Sequence, residues 1–433
     1  MPVIHGSRLR TLFAAASVAL LGALGEEPVR AEDGTPARPK PIEPRRYELA
    51  GFPILGGSTD IGVQFGATMT LTHFYDDAFP YDWNLDVLLS ASAKDVDGLQ
   101  LAQQSHVLRL DAPDLFGGRA RLDTRASFQR TINAGYYGLG NAAEATMPPD
   151  IAPECAARRF QYVQEEGRLR SIGRLYTSTK GFDIAIGANL RLENPDDYCG
   201  SKLKEDVTPQ PGASSSPVLG SVPAVLGSLS AGVMIDTRDS EFITRRGIFY
   251  QVGVGATAGS AESIAYGEAS AVLSHYAELG GPFVFASRFV ASFQFGRVPF
   301  YDMQQGGNFE PQYLLGGENG VRGVPQGRYA GPVKVITNLE IRSTPFPRFM
   351  VLGERFLIGT TTFFDCGRVW SQYSAISSAD GTSLGLKFGV GGGVFLQWGE
   401  AAIFRVEAAY SPDAVSENPT LPVGVYVSDG VMF

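Results

Sequence analysis

The sequence predicts an all-β fold: a transmembrane antiparallel β-barrel of about sixteen strands, with one long loop folded into its lumen. Three observations carry the prediction. The chain opens on an export signal, with Arg8 and Arg10 before the small, apolar run Thr11–Gly25 and small residues around Arg30 in Val29-Arg30-Ala31. From Thr59 onward apolar and polar residues alternate in segment after segment, most of them ten or more residues long. Glycine is abundant, 52 of 433 residues, while amphipathic helix patterns are almost absent and no later apolar run reaches the ~18 residues of a membrane helix.

Composition narrows the class. Residues 1–31 read as a cleaved secretory signal peptide. Residues 32–58, rich in proline and charge (EDGTPARPKPIEPRR), read as a flexible periplasmic lead-in, and residues 59–433 as the barrel. Losing three Arg and two Glu with the signal leaves 33 basic and 43 acidic side chains. No basic cluster is present to neutralise phosphates, so nucleic acid is not expected as a partner.

The strands are read in order. Ile61, Val63, Phe65, Ala67, Met69 and Leu71 alternate with Gly62, Gln64, Gly66, Thr68, Thr70 and Thr72, and Trp83–Ser90 and Leu99–Leu110 repeat the pattern. In Arg119–Arg130, Ala120, Leu122, Ala126 and Phe128 oppose Arg119, Arg121, Asp123, Arg125 and Gln129. That segment separates a barrel from a soluble β-sandwich. Sandwich strands run to five or six residues, whereas a tilted membrane strand needs ~9–11, and mixed charges among small polar residues suit a wet lumen. Only a closed barrel leaves no unpaired backbone in lipid. Eleven further segments bring the number to fifteen: Phe160–Tyr176, Phe182–Glu193, Leu229–Arg238, Gly247–Ala258, Ile264–Glu278, Phe283–Phe295, Val333–Arg342, Phe356–Val369, Leu384–Gln397, Ala401–Tyr410 and Gly424–Phe433. Single-chain barrels have an even number, so another strand is expected within Thr131–Arg159. Short turns (Ser178–Gly181, Gly280–Pro282) alternate with long loops (Asn194–Gly227, Val298–Gly331).

The organising stretch is Gln312–Arg342, a glycine-rich loop around Arg322 that runs into an alternating strand. Val333, Val335, Leu339 and Ile341 share one face of that strand, and Lys334, Asn338, Glu340 and Arg342 share the other. Leu315-Gly316-Gly317 with Val321-Arg322-Gly323, then Asn338-Leu339-Glu340-Ile341-Arg342, then Phe363-Phe364-Asp365-Cys366-Gly367-Arg368-Val369-Trp370 resemble the bacterial surface antigen barrels. That family comprises outer-membrane protein assembly factors and two-partner secretion translocators. Tyr136–Asn141 (YYGLGN), Asp236-Thr237-Arg238-Asp239 and a terminal aromatic, Phe433, are similar marks in the same order. The resemblance spans essentially all of 59–433.

The resemblance implies a loop-to-wall lock, in which Arg322, flanked by Gly323, pairs with Glu340 and Asp365. It implies an insertion signal at Phe433, barrel-assembly machinery as a partner during biogenesis, outer-membrane lipid around the barrel, and a polypeptide or lipid substrate. The parity of Glu340 agrees with an inward carboxylate; that of Asp365 is less clean, because Phe363 shares its face. An arginine fork suits bidentate carboxylate pairing, and Gly317, Gly320 and Gly323 allow close approach to the wall. One departure is that residues 32–58 are too short for the periplasmic polypeptide-transport-associated domains of the family's assembly members. Another is Asp429, in register with Val425, Val427, Val431 and Phe433 on the expected lipid face; either a bulge at Gly430 or a polar end to the closing strand accounts for it. The expected function is insertion or translocation of polypeptide or lipid through a weak seam between Thr59–Thr72 and Gly424–Phe433. The alternative is a passive pore or structural barrel with a plugged lumen.

Catalysis and cofactors find little support. His73, His106 and His275 are isolated, with no metal spacing, and the neighbours Ser105-His106 and Ser274-His275 face opposite ways on a strand. Gly389–Gly393 precedes no helix and reads as strand glycine rather than a phosphate loop. Arg119, Arg121 and Arg125 with Asp123 and Glu407 either set ion selectivity or form a lumen-filling network. Cys155 and Cys199 lie in loops, bridged or free; Cys366 reads as a small apolar strand residue.

Overall fold

The structure is a computed structural model that describes residues 45–75, 81–95, 98–143, 146–179, 181–209, 218–241, 243–351, 354–373, 377–398, 402–414, 422–429 and 433. Sixteen antiparallel strands close into a barrel. They are β1 (Arg45–Ser58), β2 (Gly62–Tyr75), β3 (Trp83–Asp95), β4 (Leu99–Leu115), β5 (Ala120–Gly135), β6 (Gln161–Tyr176), β7 (Phe182–Asp197) and β8 (Ala224–Asp236). The second half comprises β9 (Gly247–Gly259), β10 (Ala265–Gly280), β11 (Phe283–Arg297), β12 (Val333–Ser343), β13 (Glu354–Trp370), β14 (Lys387–Trp398), β15 (Ala402–Tyr410) and β16 (Val423–Asp429). A short piece, Phe349–Val351, makes a hairpin with the start of β13. Among the described residues no helix is long and apolar enough to cross a membrane.

Alternation positions every side chain. On β7, Ile184, Ile186, Leu190 and Leu192 are exposed toward the lipid face, while Asp183, Ala185, Arg191 and Glu193 are buried. Period-two chemistry with the polar set inside is the barrel pattern, and it holds the ionisable residues away from hydrocarbon.

Two readings of the sequence need correcting at the start of the chain. Arg45–Ser58 is not part of a flexible lead-in: it is the first strand, opposed to β2 along its whole length, from Arg45–Tyr75 to Ser58–Gly62. Pro53 and the two arginines masked it. Proline is tolerated because β1 is weakly partnered on its other side, as an edge strand is. The sixteenth strand therefore comes from here and not from Thr131–Arg159. There β5 runs on to Gly135, after which the chain makes one isolated bridge, Leu139 to Ala330, and a four-residue helix, α1 (Pro153–Ala156).

The seam moves accordingly, to β1 and β16 rather than Thr59–Thr72. Among the described residues these strands oppose each other only at Gly57–Val427 and Ser58–Tyr426, with Thr59 N–H donating to the Val425 carbonyl at 3.1 Å. The bulge considered at Gly430 lies outside the described residues, as do residues 1–44.

The long connections gather at one end. β5–β6 and β7–β8 are joined by a Cys155–Cys199 disulfide, the latter connection carrying α2 (Lys202–Val207). The longest, 298–332 between β11 and β12, folds into the lumen. Its Leu314, Leu315, Val321, Val324 and Tyr329 pack against Val290, Ile336 and Val369 of the wall.

Candidate functional site

The inward loop is shaped by its own backbone before it meets the wall. Phe300–Met303 turns once as α3, and Gln305–Gly306 pairs back on Gln312–Tyr313. Gly316, Gly317 and Gly323 have φ of +124°, +80° and +92°, values that favour glycine. A Cβ on Gly316 would stand 2.1 Å from the Pro325 carbonyl oxygen, so the two arms of the loop lie in direct backbone contact. Gly317 N–H donates to the Val324 carbonyl (2.9 Å) and Val321 N–H to that of Leu314 (3.0 Å), closing the tip around Arg322.

Arg322 is fully buried and meets three carboxylates on three wall strands. Its Nε and Nη2 donate to the two oxygens of Asp365 on β13, at 2.7 and 3.0 Å, and its backbone N–H donates to the same group at 3.1 Å. Nη1 lies 2.8 Å from Glu340 Oε1 on β12 and 3.2 Å from Glu407 on β15. These side chains are 0–1 % exposed. Beneath the guanidinium lies the Phe363 ring, 3.4 Å from its centroid. Bidentate pairing in a dry site is strong and demanding, since losing one partner strands a buried charge at a cost of about 3–5 kcal/mol.

The wall supplies further cations, so the cluster is close to neutral. Arg342 Nε contacts Glu340 at 2.7 Å, and Arg405 lies 3.6 Å from Glu407. Asn338 donates to Asp365 and to the Gly320 carbonyl, both at 2.9 Å, and its carbonyl oxygen accepts from Arg288 at 3.0 Å. Gly367 is bare because Leu315 and Ile336 occupy the space a side chain would fill. Val321 is buried in the apolar cluster beside it.

The structure thus brings Arg322, Gly323, Glu340, Asp365, Asn338, Gly316, Gly317, Val321 and Gly367 into one locus. It does not bring Asp236 and Arg238 there: they pair with each other at 2.8 and 3.0 Å at the end of β8, with Arg238 over the Phe249 ring. Phe433 is also placed apart from the expected lipid face. Its ring lies below the guanidinium groups of Arg288 (5.3 Å) and Arg342 (5.0 Å), and its carbonyl oxygen accepts from Arg342 at 2.8 Å.

Three members escaped the sequence reading of this locus. Glu407 was read only as a lumen charge. Phe363, the residue that spoiled the parity of Asp365, shares the inward face because it stacks under Arg322. Gly389 is required by proximity, because a Cβ there would stand 1.8 Å from the Arg322 carbonyl oxygen.

The loop also touches both sides of the seam. Gly323 N–H donates to the Tyr426 hydroxyl on β16 at 2.9 Å, and Gln326 N–H to the Asp60 carboxylate, just after β1, at 3.3 Å. The YYGLGN segment braces the loop's return arm, with Gly140 N–H donating to the Ala330 carbonyl at 2.8 Å. Among the described residues no group of three or more His, Cys, Asp or Glu is placed to hold a metal.

Comparison with known proteins fits this geometry. The barrel superposes on BamA from Haemophilus ducreyi lacking POTRA domains 1–3, with TM-score 0.55 and 13 % identity over 89 % of this chain and 70 % of that one. It superposes on CdiB from Escherichia coli with TM-score 0.53 and 14 % identity over 89 % and 63 %. At such identity the likeness is one of fold. No curated protein matches the chain by sequence. The Omp85 superfamily domain, however, matches residues 112–416, a span that takes in the inward loop and all three carboxylates. With most of its barrel covered by that match, the chain belongs to the Omp85 superfamily of bacterial outer-membrane barrels.

Proposed function

We propose that this barrel assists the insertion or translocation of polypeptide or lipid at the outer membrane, by lateral opening between β1 and β16, in a role that involves no catalysis. One observation carries the reading: among the described residues β1 is opposed to β2 along its full length but to β16 only at Gly57 and Ser58. A sheet parts where the fewest hydrogen bonds hold it, and an unpaired edge in lipid is costly unless another strand or a substrate can take its place. In this reading Arg322, held by Glu340, Asp365 and Glu407, fixes the loop so that Gly323 and Gln326 clasp the two sides of the seam. The family's character as assembly factors and translocators supports the same role. The partners are outer-membrane lipid, the assembly machinery that inserts the barrel, and the client that passes the seam.

The test places cysteines at Thr59 and Val425, in a chain whose Cys366 is replaced by alanine. The purified protein, in vesicles, is assayed for acceleration of folding of a urea-denatured small outer-membrane barrel. Oxidation should abolish acceleration, and reductant should restore it relative to a chain without the engineered pair. Equal acceleration with the seam cross-linked would overturn lateral opening. A second reading, a structural barrel with a plugged lumen, is favoured by the apolar seat of the loop against Val290, Ile336 and Val369. It predicts no acceleration at all and negligible conductance in planar bilayers.

A further inference from the structure

The lumen arginines that the sequence singled out divide into used and unused. Arg121 is held by Asp111 at 2.7 Å, and Glu407 belongs to Arg322. What remains is a row across β3–β7 in which Asp86, Arg109, Arg125, Arg170 and Asn189 stand opposite one another in succession. Like charges directly opposite on one sheet face repel. Arg109 is relieved by Asp123 at 2.6 Å and Asp86 at 3.6 Å. Among the described residues Arg170 pairs only with Glu310, at 3.5 Å, a loop side chain that is 60 % exposed. Arg125, between them, has no carboxylate within 4 Å and no hydrogen-bond partner among the described residues.

Arg125 and Arg170 line a cavity of about 190 Å³ between the β5–β6 wall and the inward loop, which contributes Gln305 and Tyr313. Arg125, Arg168 and Arg170 face two carboxylates there: Glu166 in the lining, paired with Arg168 at 2.7 Å, and the exposed Glu310 on Arg170. The Nε atoms of Arg168 and Arg170 are buried without an acceptor. The cavity therefore holds excess positive charge, unsatisfied N–H donors and neutral hydrogen-bonding groups such as Ser127. We propose that this cavity is a binding site for a phosphate-type oxyanion, either free phosphate or the headgroup of a phosphorylated lipid. Low-dielectric walls focus the field of the three guanidinium groups, and a tetrahedral oxyanion accepts from several planar N–H forks at once.

The test uses the full chain, refolded in a neutral maltoside detergent and titrated calorimetrically with inorganic phosphate at constant ionic strength set by chloride. Saturable one-site binding is expected, weakened at least tenfold in Arg125→Gln and abolished in Arg125→Gln/Arg170→Gln. Arg119→Gln, in the β4–β5 turn, should bind as the parent does. Retained heat-modifiable gel mobility shows that each variant is folded. Dihexanoyl phosphatidic acid separates the sources: tighter binding than phosphate assigns a lipid headgroup, and equal or weaker binding assigns the free ion. Absence of saturable heat, or binding unchanged in the double variant (an adventitious ion only), would overturn the site.

Discussion

Replacing Arg322 by methionine keeps most of the stem over Phe363 and deletes the charge. The consequence can be apportioned among the three acids. Glu340 keeps Arg342 at 2.7 Å, and Glu407 keeps Thr361 at 3.1 Å and Arg405 at 3.6 Å. Asp365 loses both side-chain bonds and retains Asn338 at 2.9 Å and the Arg322 backbone N–H at 3.1 Å. One uncompensated carboxylate in a site of this burial costs about 3–5 kcal/mol, with about 1–2 more from the lost stacking on Phe363. The same logic makes Asp365→Asn restorative in that background: with both charges gone, the remaining amides can bond to one another, and the double variant should regain about half of the loss. Urea titration of the barrel in lipid vesicles, followed by fluorescence of Trp83, Trp370 and Trp398, measures each step by the shift of midpoint at constant slope. If Arg322→Met unfolds within about 0.5 kcal/mol of the parent, or if Asp365→Asn adds its own loss on top, the carboxylates do not depend on Arg322.

Two other outcomes follow from the packing. Gly389→Ala, which places a methyl 1.8 Å from the Arg322 carbonyl oxygen, should lose about 1–3 kcal/mol in the same titration, while Gly227→Ala, with nothing within 4 Å, should stay within about 0.5. Equal effects would show that the loop tip does not rest on β14. Replacing Cys155 and Cys199 together by serine releases a bridge spanning 44 residues, worth about 2–4 kcal/mol to the connections it joins. Limited proteolysis should then cut within 136–160 or 198–223 while the barrel retains its heat-modifiable mobility, and unchanged protection would refute the bridge's role.

How much of this was legible in the sequence depended on range. Period-two alternation is local, so strand after strand could be read from β2 onward, and the inward face of Glu340 with it. The first strand could not: Pro53 and the flanking charge are turn and linker chemistry everywhere except on a weakly paired edge, and pairing is a property of the neighbour. Arg322, Glu340 and Asp365 stood out through motifs rather than spacing. Glu407, 85 residues beyond the arginine, carried only an inward parity that many lumen residues share. Phe363 shows the same limit from the other side. An inward aromatic on a polar face looked like a fault in the register until a guanidinium was found above it. The Gly389–Gly393 run was legible as strand glycine, but the reason for Gly389 lies in the loop that crosses it.

The carboxylates that neutralise Arg322 follow it in the chain by 18, 43 and 85 residues, on the twelfth, thirteenth and fifteenth strands. Synthesis therefore delivers the cation long before the last of its counter-charges. A partly assembled wall that has received the loop but not β15 holds an arginine with an incomplete shell, a state that water can enter and lipid cannot cover. The charge balance at one residue thereby reports on how much of the cylinder has been built, and the loop tip reaches its dry, neutral seat only when the wall is nearly whole.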